Sequence, residues 1–380
     1  MRRFSLLLIA LLALSVDALA CTSAIVAASR SSEGVPMLWK HRDNTFDNTH
    51  VEYVDDGTYA YTAITANRKG GSHHVFAGIN EVGLGFISTA TNNMPAATVE
   101  EYKACRRRRL RGATMWQGLA NCATVDEFEE LLRTTKRSRG MKSNIGVGDA
   151  TGAVAYFEIW DLGYRRYDVS GRGEAGFDVR ANFSHARIKG GEGATARRYN
   201  LIMREMEAHK KSFTPWDFIG YSRSYNSLKY GDVLKSKERY FCRSHTVARH
   251  TSVGSFVIVC DGKNPRMLVM NGSPISSMAV PVYVNAKREI PQCVSGTAMR
   301  DLSREFKAEA YHTITNTLHI LNKELVGKVL KIKHPKIEMP RQLPSDIRAF
   351  NNRIDEQFAK HEAKVRKVLN STVIAYPIIR

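Results

Sequence analysis

Cys21 stands directly behind a segment that reads as a cleavable export signal, and this placement constrains the chain more than any other feature. Met1, Arg2 and Arg3 make a short positive start. Residues 4–16 (FSLLLIALLALSV) are an apolar run, and Ala18-Leu19-Ala20 is a small-x-small cleavage site. That order describes a secretory signal peptide over residues 1–20. The apolar run is 13 residues long, too short to span a bilayer as a helix. Cutting after Ala20 leaves Cys21 with a thiol and a free α-amine, a nucleophile with its own base. Two other readings compete. Cys21 could be the lipid-attachment site of an outer-surface lipoprotein, although Ala18 stands where that reading wants a larger aliphatic residue. It could also be a buried structural or disulfide cysteine, the commonest fate in exported chains.

Without the signal, 360 of the 380 residues remain, enough for one large domain or two medium ones. No second apolar segment approaches membrane length, so a secreted or periplasmic protein without a transmembrane span is expected. The net charge is +19, and loss of Arg2, Arg3 and Asp17 makes it +18. Such a charge favours anionic partners, among them carboxylate-bearing substrates. The densest basic run, residues 103–111 (KACRRRRLR), lacks interleaved aromatics and any nucleic-acid-binding motif around it. It reads as a solvated helix face, and an export signal argues against nucleic acid as a partner. The six cysteines are Cys21, Cys105, Cys122, Cys242, Cys260 and Cys293, with no C-x-x-C pair. Neither a metal cage nor a disulfide scaffold is expected, and nothing calls for a cofactor.

Along the chain, residues 21–28 (CTSAIVAA) and 35–39 read as a strand hairpin that ends in Lys40-His41-Arg42-Asp43-Asn44 and could return that polar cluster towards Cys21. Strand texture continues over 51–66 and over 75–89 (VFAGINEVGLGFIST), with Asn80-Glu81-Val82-Gly83 as the turn. Helices are expected over 97–111, 124–135 and 194–209, the second opening on a Thr-x-x-Glu cap. Residues 144–158 (NIGVGDATGAVAYFE) read as a hairpin, and 252–260 and 265–270 as paired buried strands. Beyond about residue 298 the texture turns charged and helical, over 302–333 and 345–368. These helices are candidate contact elements for a homo-oligomer. Strand pairs with helices and no βαβ rhythm predict an α+β fold. The expected division is a signal at 1–20, a catalytic domain at 21–297 and a helical C-terminal extension at 298–380.

Several of these features form one pattern. Cys21-Thr22 opens a strand, and a second strand ends in Lys40-His41-Arg42-Asp43. Residues 78–84 spell GINEVGL, residues 144–158 follow N-x-x-x-x-D-x-x-G…E, and Gly272-Ser273-Pro274 precedes Val280-Pro281-Val282. Over residues 21–290 the chain resembles the N-terminal-nucleophile hydrolases, in the branch of choloylglycine hydrolase, penicillin V acylase and isopenicillin-N acyltransferase-like proteins. The resemblance implies a four-layer αββα sandwich and hydrolysis, or acyl transfer, at the amide of a small molecule. It implies Cys21 as nucleophile and Asp43 as the aspartate that holds the α-amine. Asn182 falls where the family has an oxyanion-binding asparagine. Arg198 matches an arginine near the nucleophile, with Arg197 left open as the alternative. Asn92 is the nearest candidate for a second oxyanion group, beside Asn93 or a backbone N–H. Relatives often carry Arg-Asn-x-Asp where this chain has Lys40-His41-Arg42-Asp43, which leaves the role of the upstream basic residue open. A papain-like protease would need an internal cysteine in a C-G-S-C-W-like setting, and none is present.

Overall fold

The computed structural model describes residues 21–67, 73–94, 98–100, 113–135, 139, 141–169, 175–186, 194–242, 245–315 and 318–372. The expected signal segment, Cys105 and the basic run 103–111 lie outside the described residues, as does the expected helix 97–111 apart from 98–100.

The chain begins with β1 (Thr22–Val26), β2 (Met37–Asp43), β3 (Thr49–Val54), β4 (Tyr61–Asn67), β5 (His73–Asn80) and β6 (Gly85–Ala90). Helices α1 (Ala113–Asn121) and α2 (Val125–Thr134) follow, then β7 (Ser143–Gly148), β8 (Val154–Trp160), β9 (Gly163–Asp168) and β10 (Phe177–Arg180). Next come α3 (Ala194–Ala208), α4 (Pro215–Ser222), the short strands β11 (Asn226–Ser227), β12 (Gly231–Asp232) and β13 (Tyr240–Cys242), and then β14 (Ser252–Val259), β15 (Arg266–Met270) and β16 (Val280–Tyr283). The last elements are α5 (Gln292–Ser295), α6 (Ala298–Ala310), β17 (Tyr311–Thr313), β18 (Leu318–Leu321), α7 (Lys323–Lys331) and α8 (Ile347–Ser371).

Two antiparallel sheets organise these elements. One has six strands in the order β10-β1-β2-β14-β15-β16, and the other is the seven-stranded run from β3 to β9. Their facing sides share a core in which Ile25, Leu38 and Ile258 of the first sheet join Ile64, Ile87 and Tyr156 of the second. At Gly146 the sheets approach so closely that a Cβ would sit 2.8 Å from Ile25 and Ile87. The opposite face of the seven-stranded sheet packs Phe86 and Phe157 against Leu119 of α1 and Phe128 of α2. The opposite face of the six-stranded sheet packs Trp39, Val257 and Leu268 against Ile202 of α3 and Phe218 of α4. Strands covered on both faces carry apolar residues at successive positions, which is why 252–260 reads as one unbroken run.

Local chemistry sets the connections. Asn80 ends β5, and its buried side chain donates to Leu119 O and Cys122 O at 3.0 and 2.7 Å while accepting from Leu84 N at 2.8 Å. It thereby ties the β5–β6 turn to the end of α1. Gly83 in that turn has φ +91°, which a side chain would strain. Thr124 caps α2 by accepting from Glu127 N at 3.1 Å, and Glu127 reaches back to Ala123 N at 2.7 Å.

Two stretches differ from the sequence reading. The second strand does not end at Trp39, because β14 pairs with its other edge and carries it through Asp43. The stretch 302–333 is not one helix. It breaks at Ala310 into β17 and β18, which join β13 in a three-stranded sheet, before α7 resumes. The β-branched Thr313-Ile314-Thr315 run disfavours helix, and Asn322 restarts it by accepting from Leu325 N at 3.0 Å. The C-terminal segment is joined to the sheets by direct bonds. Ser273 N donates to Ser303 Oγ at 2.7 Å, and His361 Nε2 meets Ser276 O at 2.9 Å. Among the described residues no helix is long and apolar enough to cross a membrane.

Asn80 satisfies three buried backbone groups at the joint between the β5–β6 turn and α1. Asn80→Ala should cost about 2–4 kcal/mol of stability, read as a shifted urea midpoint, and a loss below about 0.5 kcal/mol would contradict this role.

Candidate active site around Cys21

The site grows from the pairing of β1 with β2, in which Thr22 faces His41 and Ser23 faces Lys40. Side chains alternate along a strand, so Cys21, Ser23 and Ile25 point to the inter-sheet side and Thr22 and Ala24 to the other. Ser23 Oγ accepts from Tyr156 Oη and Thr89 Oγ1, each at 2.9 Å, and so locks β1 against the opposite sheet. Cys21 is 7% exposed and lines a cavity of about 390 Å³ with Lys40, Arg42, Phe76 and Ser88. Lys40 Nζ lies 3.8 Å from Cys21 Sγ and donates to Ser88 O. Burial pushes the Lys40 ammonium below its ordinary pKa, Cys21 opposes that, and Arg42 adds to it. A cation beside a thiol favours the thiolate.

Among the cysteines whose side chains are described, Cys21, Cys122, Cys260 and Cys293, all are unpaired. Burial pushes the Cys122 thiol up to about 11 and those of Cys260 and Cys293 well above the ordinary thiol range. Those three are inert packing groups.

Asp43 is fully buried. Its carboxylate accepts from Ser252 Oγ at 3.0 Å, faces His41 Nε2 at 3.3 Å and is ion-paired with Arg249. Burial alone would raise this carboxyl, but the guanidinium of Arg249 and the ring of His41 outweigh it and hold the group well below the usual range. Between Asp43 and Cys21 the contact is the thiol against the Asp43 backbone carbonyl, at 3.9 Å.

Asn182 and Arg198 come together on the far side of β1. Arg198, 1% exposed, donates Nε to Thr22 Oγ1 at 3.3 Å and Nη2 to Asn182 Oδ1 at 3.0 Å. Arg197, one position earlier, is exposed and lies 3.3 Å from His245 Nε2. Asn182 Nδ2 donates to Ala90 O at 2.8 Å with one of its two N–H groups, and Asn92 N donates to Asn182 O at 3.2 Å. The Asn92 side chain is exposed. Asn93 Oδ1 accepts from Ser184 N at 2.6 Å. The N-x-x-x-x-D-x-x-G…E pattern explains how this loop is held. Asn144 donates to Ala181 O and Phe183 O, each at 3.0 Å, and Glu158 accepts from Ser184 Oγ and His185 N, each at 2.6 Å. Asp149 belongs to the frame instead, accepting from Val125 N and Thr151 N at 2.8 Å.

Arg249 and Ser252, the partners of Asp43, carry no mark as site residues in the sequence reading, and Lys40, whose role that reading left open, stands as the cation at the thiol. Arg249 lies 206 positions from Asp43, so no local spacing links them.

No family model matches the chain, and no curated protein matches it by sequence. Solved structures do. One is the Caenorhabditis elegans ortholog of N-acylethanolamine-hydrolyzing acid amidase, 19% identical, with a TM-score of 0.41 over 62% of this chain and 92% of that one. A variant of conjugated bile acid hydrolase from Clostridium perfringens is 11% identical, with a TM-score of 0.44 over 70% and 93%. Penicillin V acylase from Agrobacterium tumefaciens is 13% identical, with a TM-score of 0.44 over 70% and 86%. At that degree of overlap, the geometry around Cys21 has to carry any functional reading.

Removing the cation that offsets a buried carboxylate is costly. Arg249→Met should destabilise the protein by about 3–5 kcal/mol at pH 7. The depressed carboxyl stabilises the wild-type fold above the ordinary Asp pKa, and that contribution fades as the pH falls towards the folded value. In the variant the Arg249 guanidinium no longer opposes burial and only the His41 ring does, so the carboxyl titrates higher than in the wild type and the deficit should shrink between pH 7 and pH 4.5. Thermal melts at the two pH values check this, and a deficit that does not change with pH would contradict the charge account.

Proposed function

We propose that this chain is an exported N-terminal-nucleophile cysteine hydrolase that cleaves the linear amide bond of a small molecule. It resembles the choloylglycine hydrolase, penicillin V acylase and isopenicillin-N acyltransferase-like proteins, and its facing sheets with helices outside are read as that family's four-layer αββα sandwich. The observation that carries the proposal is Cys21 itself. The residue that directly follows the small-x-small site is buried in a cavity wall with its sulfur 3.8 Å from a buried ammonium. A lipid-attachment cysteine would instead need to leave the fold.

The mechanism follows from what cleavage does. While Ala20 is attached, the Cys21 nitrogen is an amide and cannot accept a proton. Cleavage turns it into an amine, which takes the thiol proton. The thiolate attacks the substrate carbonyl carbon, a C–S bond forms, and the carbonyl π pair moves to oxygen. Asn182 is the candidate donor to that oxyanion, through its second N–H. Arg198 positions it, since a bond to Asn182 Oδ1 fixes which end of the amide faces the site. Asn92 fits a supporting role, because its backbone N–H holds the Asn182 carbonyl. Asp43 is read as the carboxylate that holds the α-ammonium. The oxyanion then collapses, the C–N bond breaks, and the leaving amine receives the proton from the α-ammonium. Water attacks the thioester and releases the acid, or a second amine takes the acyl group.

Three chains test this, one beginning at Cys21, one retaining Ala20 and one carrying Cys21→Ala. They are assayed on glycine and taurine conjugates, penicillin V and N-acyl amino acids. The first should turn over at least one amide class, and the other two should lose about a thousandfold or more. Full activity in either would contradict the mechanism. Intact mass separates it from the lipoprotein reading, which requires an added acylglycerol. Asn182→Ala should lower kcat by about a hundred- to a thousandfold, and an effect confined to KM would remove Asn182 from the oxyanion role.

A further inference from the structure

The cavity beside Cys21 holds a cation that its own carboxylates do not neutralise. Arg42 follows His41 on β2, and the register that sets Thr22 opposite His41 sets Cys21 opposite Arg42. Facing side chains on antiparallel strands have their Cβ atoms about 5 Å apart. Arg42 is 2% exposed and lines the cavity. Its guanidinium lies over the Phe76 ring, 4.3 Å from the centroid, and Nη1 donates to Phe46 O at 3.1 Å. Among the described residues its buried Nε has no hydrogen-bond partner and no carboxylate is ion-paired with it.

The two nearby carboxylates are committed elsewhere. Asp43 is taken by Arg249, His41 and Ser252 and, in the proposed mechanism, by the α-ammonium as well. Asp47 is gripped at both oxygens by Arg304, each at 2.8 Å. Lys40 and the largely buried Lys307 add further positive charge near Arg42. Burial pushes Arg42 below its ordinary pKa, offset only in part by Cys21, Asp43 and Asp47. A buried guanidinium without a carboxylate is costly, whereas its planar fork is well shaped to grip one. Asn44 and Asn48 line the same cavity, and Phe46 stands 72% exposed at its edge. An anionic group could therefore sit on the fork while an apolar part of the same molecule packs against Phe46.

We propose that Arg42 is the anion-recognition residue of this cavity, so that the molecule processed at Cys21 carries a carboxylate a few bonds from the amide that the thiol attacks. This rests on the amidase reading but is tested apart from it, by binding rather than turnover. The mature chain with Cys21→Ala is titrated calorimetrically with N-octanoylglycine and with N-octanoylethanolamine, which differ in having a carboxylate or a hydroxymethyl group. The glycine compound should bind about 10- to 100-fold more tightly, the scale of one charge-assisted hydrogen-bonded pair. Adding Arg42→Met should bring the ratio close to one, and Arg42→Lys should retain part of it. If Arg42→Met does not fold, the ligand pair and Arg42→Lys decide. Equal affinities for the two ligands, or a preference that survives loss of the guanidinium, would overturn the assignment. Equal affinities together with Cys21-dependent turnover would leave the amidase standing without an anion site. A carboxylate preference without Cys21-dependent turnover would leave the anion site standing and remove the amidase.

Discussion

Everything at this site depends on one strand that places four consecutive polar residues in the interior. Lys40, His41, Arg42 and Asp43 are each no more than 2% exposed, in a strand bonded on both edges. Isolated buried charges of this kind are prohibitive, so the rest of the architecture has to answer them. Alternation divides the work. His41 and Asp43 meet Ser252 and Arg249, which fasten β2 to its other neighbour. Lys40 and Arg42 turn towards the opposite sheet, where Ser88 and Phe76 receive them beside Phe46 of the β2–β3 connection, and where Cys21 also points. One strand thereby separates a neutralised pair that holds the frame from an electropositive pair that faces the cavity.

That division gives the proposed export signal a second meaning in the proposed mechanism. A thiol beside an ammonium needs only a base to become reactive, and the proposed base is the amine that cleavage creates. Before cleavage the same sulfur would sit in the same cavity without it. Under that mechanism, export and activation would be a single event, and an uncleaved chain would stay inert.

How much of this was legible in the sequence depended on how local each interaction is. Cys21 and Asp43 share a hairpin, so the return of the polar cluster at 40–44 towards Cys21 was readable locally, while the roles given to both residues came from the resemblance. The Asn80 turn, the Thr124 cap and the Asn144–Glu158 hairpin are likewise short-range devices with recognisable residues. Arg249 could not be found, because its partner lies on a strand that only the fold brings beside it. The true length of β2 was hidden because charged residues read as loop when their burial is unknown. The β17–β18 hairpin was masked by the helical composition on either side of Tyr311–Thr313. A helical extension at 298–380 was drawn from texture, and texture cannot show that Ser273 and Ser276 reach across to Ser303 and His361.

The central claim is that Cys21, once it begins the chain, carries the acyl group. Acid-quenched mass spectrometry of the chain beginning at Cys21, taken during amide turnover, measures this most directly. The account predicts an acyl adduct on the peptide that starts at Cys21, labile to hydroxylamine as a thioester is. Turnover with the acyl group on any other residue, or a hydroxylamine-stable adduct at Cys21, would contradict it.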